Sequence, residues 1–283
     1  MAEEYSHEKV IESYDYLKKI IKENPEVGII CGSGLSGLGE DVENKIIVKY
    51  GDIPNFMTST VQGHKGQLVF GRLGGKKVMC MQGRFHPYEG HEAWKIAVPL
   101  RVMKLLGVEF VIITNAAGGL NRSFGVGDFM LIKDHISFPG LGGYNPLWGK
   151  NDDKFGPRFP AVTQAYDKNL RKLMYDTAVD LGIKDTMREG IYFNVAGPSY
   201  ETIAELNLAL KLGGDAIGMS TAQEVVAAAH CGLKVCACSL ITNYCIIDYE
   251  STEAANHEEV LETGRARAAA MQKLVTEFLK RCP

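Results

Sequence analysis

Short runs of β-branched and apolar residues alternate along this chain with segments whose apolar positions recur at helical spacing, and nothing else in the sequence limits the fold as strongly. Runs at 27–31, 67–73, 76–82, 109–114, 129–133, 191–195 and 233–242 read as strands. Helical spacing marks 8–22, 92–106, 167–181, 204–212, 225–230 and 257–281. Such alternation predicts an α/β fold, a central twisted mixed β-sheet flanked by helices. With no repeat, low-complexity tract or linker, one domain is expected over 1–283. The stretch 140–160 lacks periodicity, and a loop this long in a compact domain is more often functional than idle.

Composition narrows the function classes. Hydrophobic residues at 46% and charged residues at 23% are ordinary globular values. A net charge of −3 without single-sign runs argues against a nucleic-acid surface. The acidic N-terminus is not a secretory signal, and no run reaches the ~18 apolar residues of a membrane helix. Seven cysteines, an odd count without a Cys-x-x-Cys pair, read as reduced thiols and a cytoplasmic location. No histidine and cysteine share zinc-ligand spacing, so no metal is expected.

Gly32-Ser33-Gly34-Leu35-Ser36-Gly37 follows a strand and fits G-x-G-x-x-G, with Asp52 where a ribose-binding acid of a dinucleotide fold would sit. Only 38–45 separates this loop from the next apolar run, which is short for a crossover helix. A phosphate cradle, a dinucleotide site and a plain turn all remain open at this point. In Gln82-Gly-Arg-Phe-His-Pro-Tyr-Glu-Gly90, an extended backbone projects Arg84, His86 and Tyr88 to one side, which suits oxyanion binding; a solvated turn is the bland alternative. Thr114-Asn-Ala-Ala-Gly-Gly119 closes a strand in small residues, as a tight turn or as room for a flat ligand. Glu201 beside Tyr200 either pairs with ring N–H groups or decorates a first helical turn. Ser220 reads as a helix N-cap near an anion site, and Asn243 offers one donor and one acceptor to a ring edge. His64 and His257 are ambiguous alone.

Taken in order, Gly32-Ser-Gly-Leu35, Gly83–Gly90, Thr114–Gly119, Ala196–Thr202, Gly218-Met-Ser-Thr221, Ser239–Asn243 and Asn256–Val260 resemble the purine nucleoside phosphorylase family of the trimeric, animal type, over 27–260. The resemblance implies a phosphorylase/hydrolase-like fold and reversible phosphorolysis of 6-oxopurine nucleosides in purine salvage, with inorganic phosphate as co-substrate and no cofactor. It implies phosphate contacts from Ser33, His64, Arg84, His86, Ser220 and the Ala116 backbone. Ribose would meet Tyr88, Tyr200, Met219 and His257, and purine would meet Ala116, Glu201 and Asn243. Among these, His86, Glu201, Asn243 and His257 would be catalytic. Phe159 would reach the neighbouring site of a homotrimer. Tyr200, Ile217 and Tyr244 depart from the residues usual in the animal enzymes. Methylthioadenosine phosphorylase is the rival within the resemblance, and a dinucleotide-dependent oxidoreductase the rival outside it.

Overall fold

The computed structural model describes residues 4–33, 35–58 and 65–283. Among them, nine strands share one mixed sheet: β1 (Val27–Cys31), β2 (Glu43–Lys49), β3 (Gln67–Leu73), β4 (Lys76–Gln82), β5 (Phe110–Gly119), β6 (Phe129–Ser137), β7 (Met187–Asn194), β8 (Ala216–Gly218) and β9 (Lys234–Tyr244). The helices are α1 (His7–Ile20), α2 (Ala93–Leu106), α3 (Phe138–Leu141), α4 (Lys168–Asp180), α5 (Ile203–Lys211), α6 (Ala222–His230) and α7 (His257–Arg281).

The strand order is β2-β3-β4-β1-β5-β8-β7-β6-β9, and β9 returns to pair with β5. The second half of the sheet therefore closes on itself. β1, β4, β5 and β9 are mutually parallel. β1 and β9 flank the first part of β5, while its last residues, Gly118 and Gly119, also pair with β8. A register shift after Ala117 accompanies this branching. Parallel strands that part company at their carboxyl ends leave a crevice where ligands bind.

Consecutive strand residues face opposite layers, and both layers are covered. Ile30, Val111 and Ile113 pack in one core with Val98, Val102 and Met103 of α2 and Val225 of α6. Ile29, Ile112 and Leu240 pack in the other with Leu170 and Met174 of α4 and Leu274 and Phe278 of α7. Burial on both faces is why these strands read as unbroken apolar runs.

The expected β3–β4 hairpin and α7 match the observed bounds. Asn256 caps α7, its side chain accepting from the Glu259 N–H at 2.8 Å. Other elements differ from expectation: β2 falls where no strand is predicted, β6 runs four residues further and β7 starts four residues earlier. β5 continues through Asn115–Gly119, against the tight-turn reading of those small residues, because β9 pairs with it along its whole length. β8, three residues long, has too short a pattern to read. The stretch after α3, which ends at Leu141, holds only turns and bends through 160, as the missing periodicity predicts. The glycine loop leads into a single 3-10 turn, Ser36–Glu40, and β2 lies at the far edge of the sheet rather than beside β1. That topology lacks the crossover helix of a dinucleotide fold, and Asp52 ends a separate 3-10 turn.

Candidate active site

A cleft of about 360 Å³ opens where β5 branches. Residues reach it from the ends of several strands: Ser33 after β1, Arg84, His86 and Tyr88 after β4, and Ala116 within β5. Tyr200 and Glu201 follow β7, Met219 and Ser220 follow β8, and Asn243 lies in β9. His257, the first residue of α7, completes the lining. Gly32 permits the first approach, since a Cβ there would lie 2.6 Å from the Cα of Asn115.

Buried polar bonds organise one end of the cleft. Arg84 is 1% exposed. Its Nε and Nη2 donate to the two carboxylate oxygens of Glu224 at 3.0 and 3.1 Å, and its Nη1 donates to Ser220 Oγ at 3.1 Å. The fork is thereby fixed with one nitrogen on Ser220. His86 stacks on Tyr88 with centroids 4.7 Å apart, and its backbone N–H donates to Glu89 at 2.8 Å. Burial lowers the His86 pKa against the opposing pull of Glu89, which favours the neutral ring. Burial also pushes the Tyr88 hydroxyl up to about 12.

Glu201 and Asn243 form a different group. Burial raises the Glu201 carboxyl. Burial and, after it, the Glu201 charge push the Cys245 thiol up to about 12, placing Cys245 near that carboxylate. Thr242 Oγ1 lies 2.9 Å from Asn243 Oδ1. With Oδ1 accepting from Thr242, Asn243 Nδ2 donates one hydrogen to the Tyr244 carbonyl at 3.4 Å and keeps a second. Apolar walls come from Leu206, Ile217 and Val260. An end carrying a guanidinium and a serine hydroxyl, beside a half-apolar slot with an acid and an amide, suits a substrate that is part anion and part heterocycle.

The extended arrangement expected for 84–88 is modified, because Pro87–Glu89 is a 3-10 turn, yet Arg84, His86 and Tyr88 all face the cleft. Ser220 is not a helix cap: Thr221 holds that position, without a side-chain cap bond. Glu201 is not in a first helical turn either, since Thr202 caps α5 through a capping box with Glu205. Phe159 lies outside this chain's cleft and is 89% exposed. His64 lies outside the described residues. The sequence reading missed Glu224 and Glu89; a buried acid in a helix or turn looks locally like a solvated one, so no pattern marked them. Among the described residues no cluster of ligating side chains could hold a metal ion, and no helix is long and apolar enough to cross a membrane.

Known proteins share this sequence pattern and fold. The sequence family described as the phosphorylase superfamily matches residues 26–280. The chain is 48% identical to purine nucleoside phosphorylase of Bos taurus over 283 residues, covering 100% of this chain and 98% of that one. Schistosoma mansoni purine nucleoside phosphorylase in complex with inosine superposes with a TM-score of 0.94 at 48% identity, covering 98% of each chain. Isoform 2 of that enzyme, in complex with cytosine and ribose-1-phosphate, gives the same TM-score, identity and coverage.

Proposed function

The chain belongs to the purine nucleoside phosphorylases of the phosphorylase superfamily, and from that premise we propose how its residues divide the work. The enzyme catalyses reversible phosphorolysis of 6-oxopurine nucleosides, giving free base and ribose 1-phosphate. Phosphate sits at the end of the cleft carrying Ser33, Arg84, His86, Ser220 and the Ala116 backbone. The fixed Arg84 fork and its bond to Ser220 are the observation that carries this assignment.

A phosphate oxygen attacks C1′ of the ribose while the N-glycosidic bond breaks and its electron pair passes to the purine. Oxocarbenium character on the sugar faces the phosphate anion, which stabilises it. Tyr88, Tyr200 and Met219 surround the ribose, and His257 orients the 5′-hydroxyl. Glu201 accepts from the purine N–H groups. Asn243 donates to the N7/O6 edge and stabilises negative charge on the leaving base, an orientation supported by the neighbouring Thr242 hydroxyl. Phosphate is the nucleophile, so no activated Ser or Cys is required. It is a co-substrate, and no other cofactor enters this reading.

The assembly is a homotrimer in which Phe159 covers the neighbour's ribose. An exposed aromatic ring in the long loop, together with Leu141 at 81% exposure, supports an interface there. Seven unbridged cysteines favour a reducing, cytoplasmic compartment. Steady-state kinetics of Ser220→Ala and Asn243→Ala test the division of roles. The first should raise the phosphate KM and the second the inosine KM; the reverse pattern would overturn the assignment.

A further inference from the structure

Thr221 joins β8 to α6 with φ 76° and ψ −53°. The Ala222 N–H donates to the Ser220 carbonyl at 2.9 Å across it, which makes a three-residue γ-turn. This version of the turn, with positive φ at its centre, is rare and strained, and a β-branched residue suits it least. Such a turn persists only where its surroundings hold it. It sits immediately after Ser220 and immediately before the helix that carries Glu224.

Two buried amides hold the turn. Asn194 Nδ2 donates to the Ser220 carbonyl at 3.1 Å, and its own Oδ1 accepts from Ser137 Oγ and Gln223 Nε2, each at 3.0 Å. Asn115 Nδ2 donates to Thr221 Oγ1 at 2.8 Å. Asn115 is buried and does not line the cleft, whereas its neighbour Ala116 does. One bond therefore ties the β5 part of the proposed phosphate site to the β8–α6 part.

Resting on the phosphate site assigned above, we propose that Asn115 is a positioning residue for phosphate: it holds the Thr221 turn so that the Ser220 hydroxyl is presented to the anion. The hydroxyl accounting supports this. Thr221 Oγ1 lies 3.2 Å from Ser220 Oγ, and Arg84 Nη1 donates to Ser220 Oγ. Asn115 fills one of the two acceptor sites of Thr221 Oγ1, and in the arrangement proposed the Thr221 hydroxyl gives its own hydrogen to Ser220. Ser220 Oγ then accepts twice, and a hydroxyl has two acceptor sites and one hydrogen. That hydrogen points away from both donors and is given to the anion. The Ser220 backbone N–H is engaged elsewhere, with the Tyr192 hydroxyl at 3.3 Å.

The test compares Asn115→Ala, Thr221→Val, their double variant, Thr221→Ser and Ser220→Ala, by steady-state kinetics in both substrates. Asn115→Ala should raise the phosphate KM about tenfold, the scale of one neutral buried hydrogen bond, with the inosine KM within about twofold of wild type. Thr221→Val breaks the same bond from its other side and keeps the test open should Asn115→Ala not fold. The double variant should match Thr221→Val, which already removes the Asn115 contact together with the Thr221 contact to Ser220. Thr221→Ser keeps the hydroxyl and should retain the wild-type phosphate KM. Additive effects in the double variant, or an inosine KM rising in step with phosphate, would overturn the proposal. If Ser220→Ala raises the phosphate KM but neither Asn115→Ala nor Thr221→Val does, the proposal fails and the site assignment stands. If Ser220→Ala itself leaves the phosphate KM unchanged, the site assignment fails and this inference with it.

Discussion

Glu224→Gln is the most informative single perturbation of the proposed phosphate site. In the wild type, two nitrogens of Arg84 rest on the Glu224 carboxylate, with side chains 1% and 5% exposed. Glutamine fills nearly the same space but removes the charge and turns an N–H₂ group toward a guanidinium that can only donate. Breaking a buried ion pair from one side costs about 3–5 kcal/mol. At roughly 2–3 °C per kcal/mol for a domain of this size, the melting temperature should fall by about 6–15 °C. The fork also loses one of the two bonds that fix its plane, so its contact with phosphate weakens by about 1.5–3 kcal/mol, or up to about a hundredfold in affinity. Phosphate at 100 times its wild-type Kd stabilises the native enzyme by about 2.7 kcal/mol. After a hundredfold loss of affinity the same concentration contributes only about 0.4 kcal/mol. Thermal melts with and without phosphate therefore read both effects in one assay. A variant that melts within 2 °C of wild type and keeps its full phosphate shift would refute the reasoning.

Other outcomes follow from the same geometry. Burial raises the Glu201 carboxyl, so as pH falls it protonates before an exposed glutamate would and loses its capacity to accept from the purine. kcat/KM for inosine should then show an acid limb with a midpoint above the ordinary glutamate value, and Glu201→Gln should abolish that limb in a pH–rate series. Asn243→Asp replaces a donor with an acceptor at the base edge and should move relative kcat/KM from inosine toward adenosine and methylthioadenosine by about tenfold or more, measured by competing substrates. Phe159→Ala should lower kcat/KM for inosine while leaving the far-UV circular dichroism unchanged, because the ring packs on nothing essential within its own chain, where it is 89% exposed.

Much of the fold was legible because local and global preferences agree. The β3–β4 hairpin turns on Gly74 and Gly75, both at positive φ, and α7 is marked by its Asn256 cap and helical stripe. The cleft was legible as motifs at strand ends, where parallel strands gather ligands. Asn115–Gly119 escaped because alanine and glycine carry little strand preference, and pairing with β9 overrides it. Glu224, Glu89 and the γ-turn at Thr221 escaped for another reason. Their roles depend on burial and on partners distant in sequence, such as the Asn115–Thr221 bond, and no local pattern encodes either. The glycine loop shows the opposite failure: its spacing matches a dinucleotide fingerprint, while the strand order around it does not.

The central claim is that phosphate, bound beside Arg84 and Ser220, is the nucleophile that releases the purine. The direct measurement is hypoxanthine release from inosine with and without inorganic phosphate, with ribose 1-phosphate quantified alongside. Release only with phosphate, and one ribose 1-phosphate formed per hypoxanthine, is the predicted result. Hypoxanthine release at an undiminished rate without phosphate, yielding free ribose, would make the enzyme a hydrolase and contradict the account.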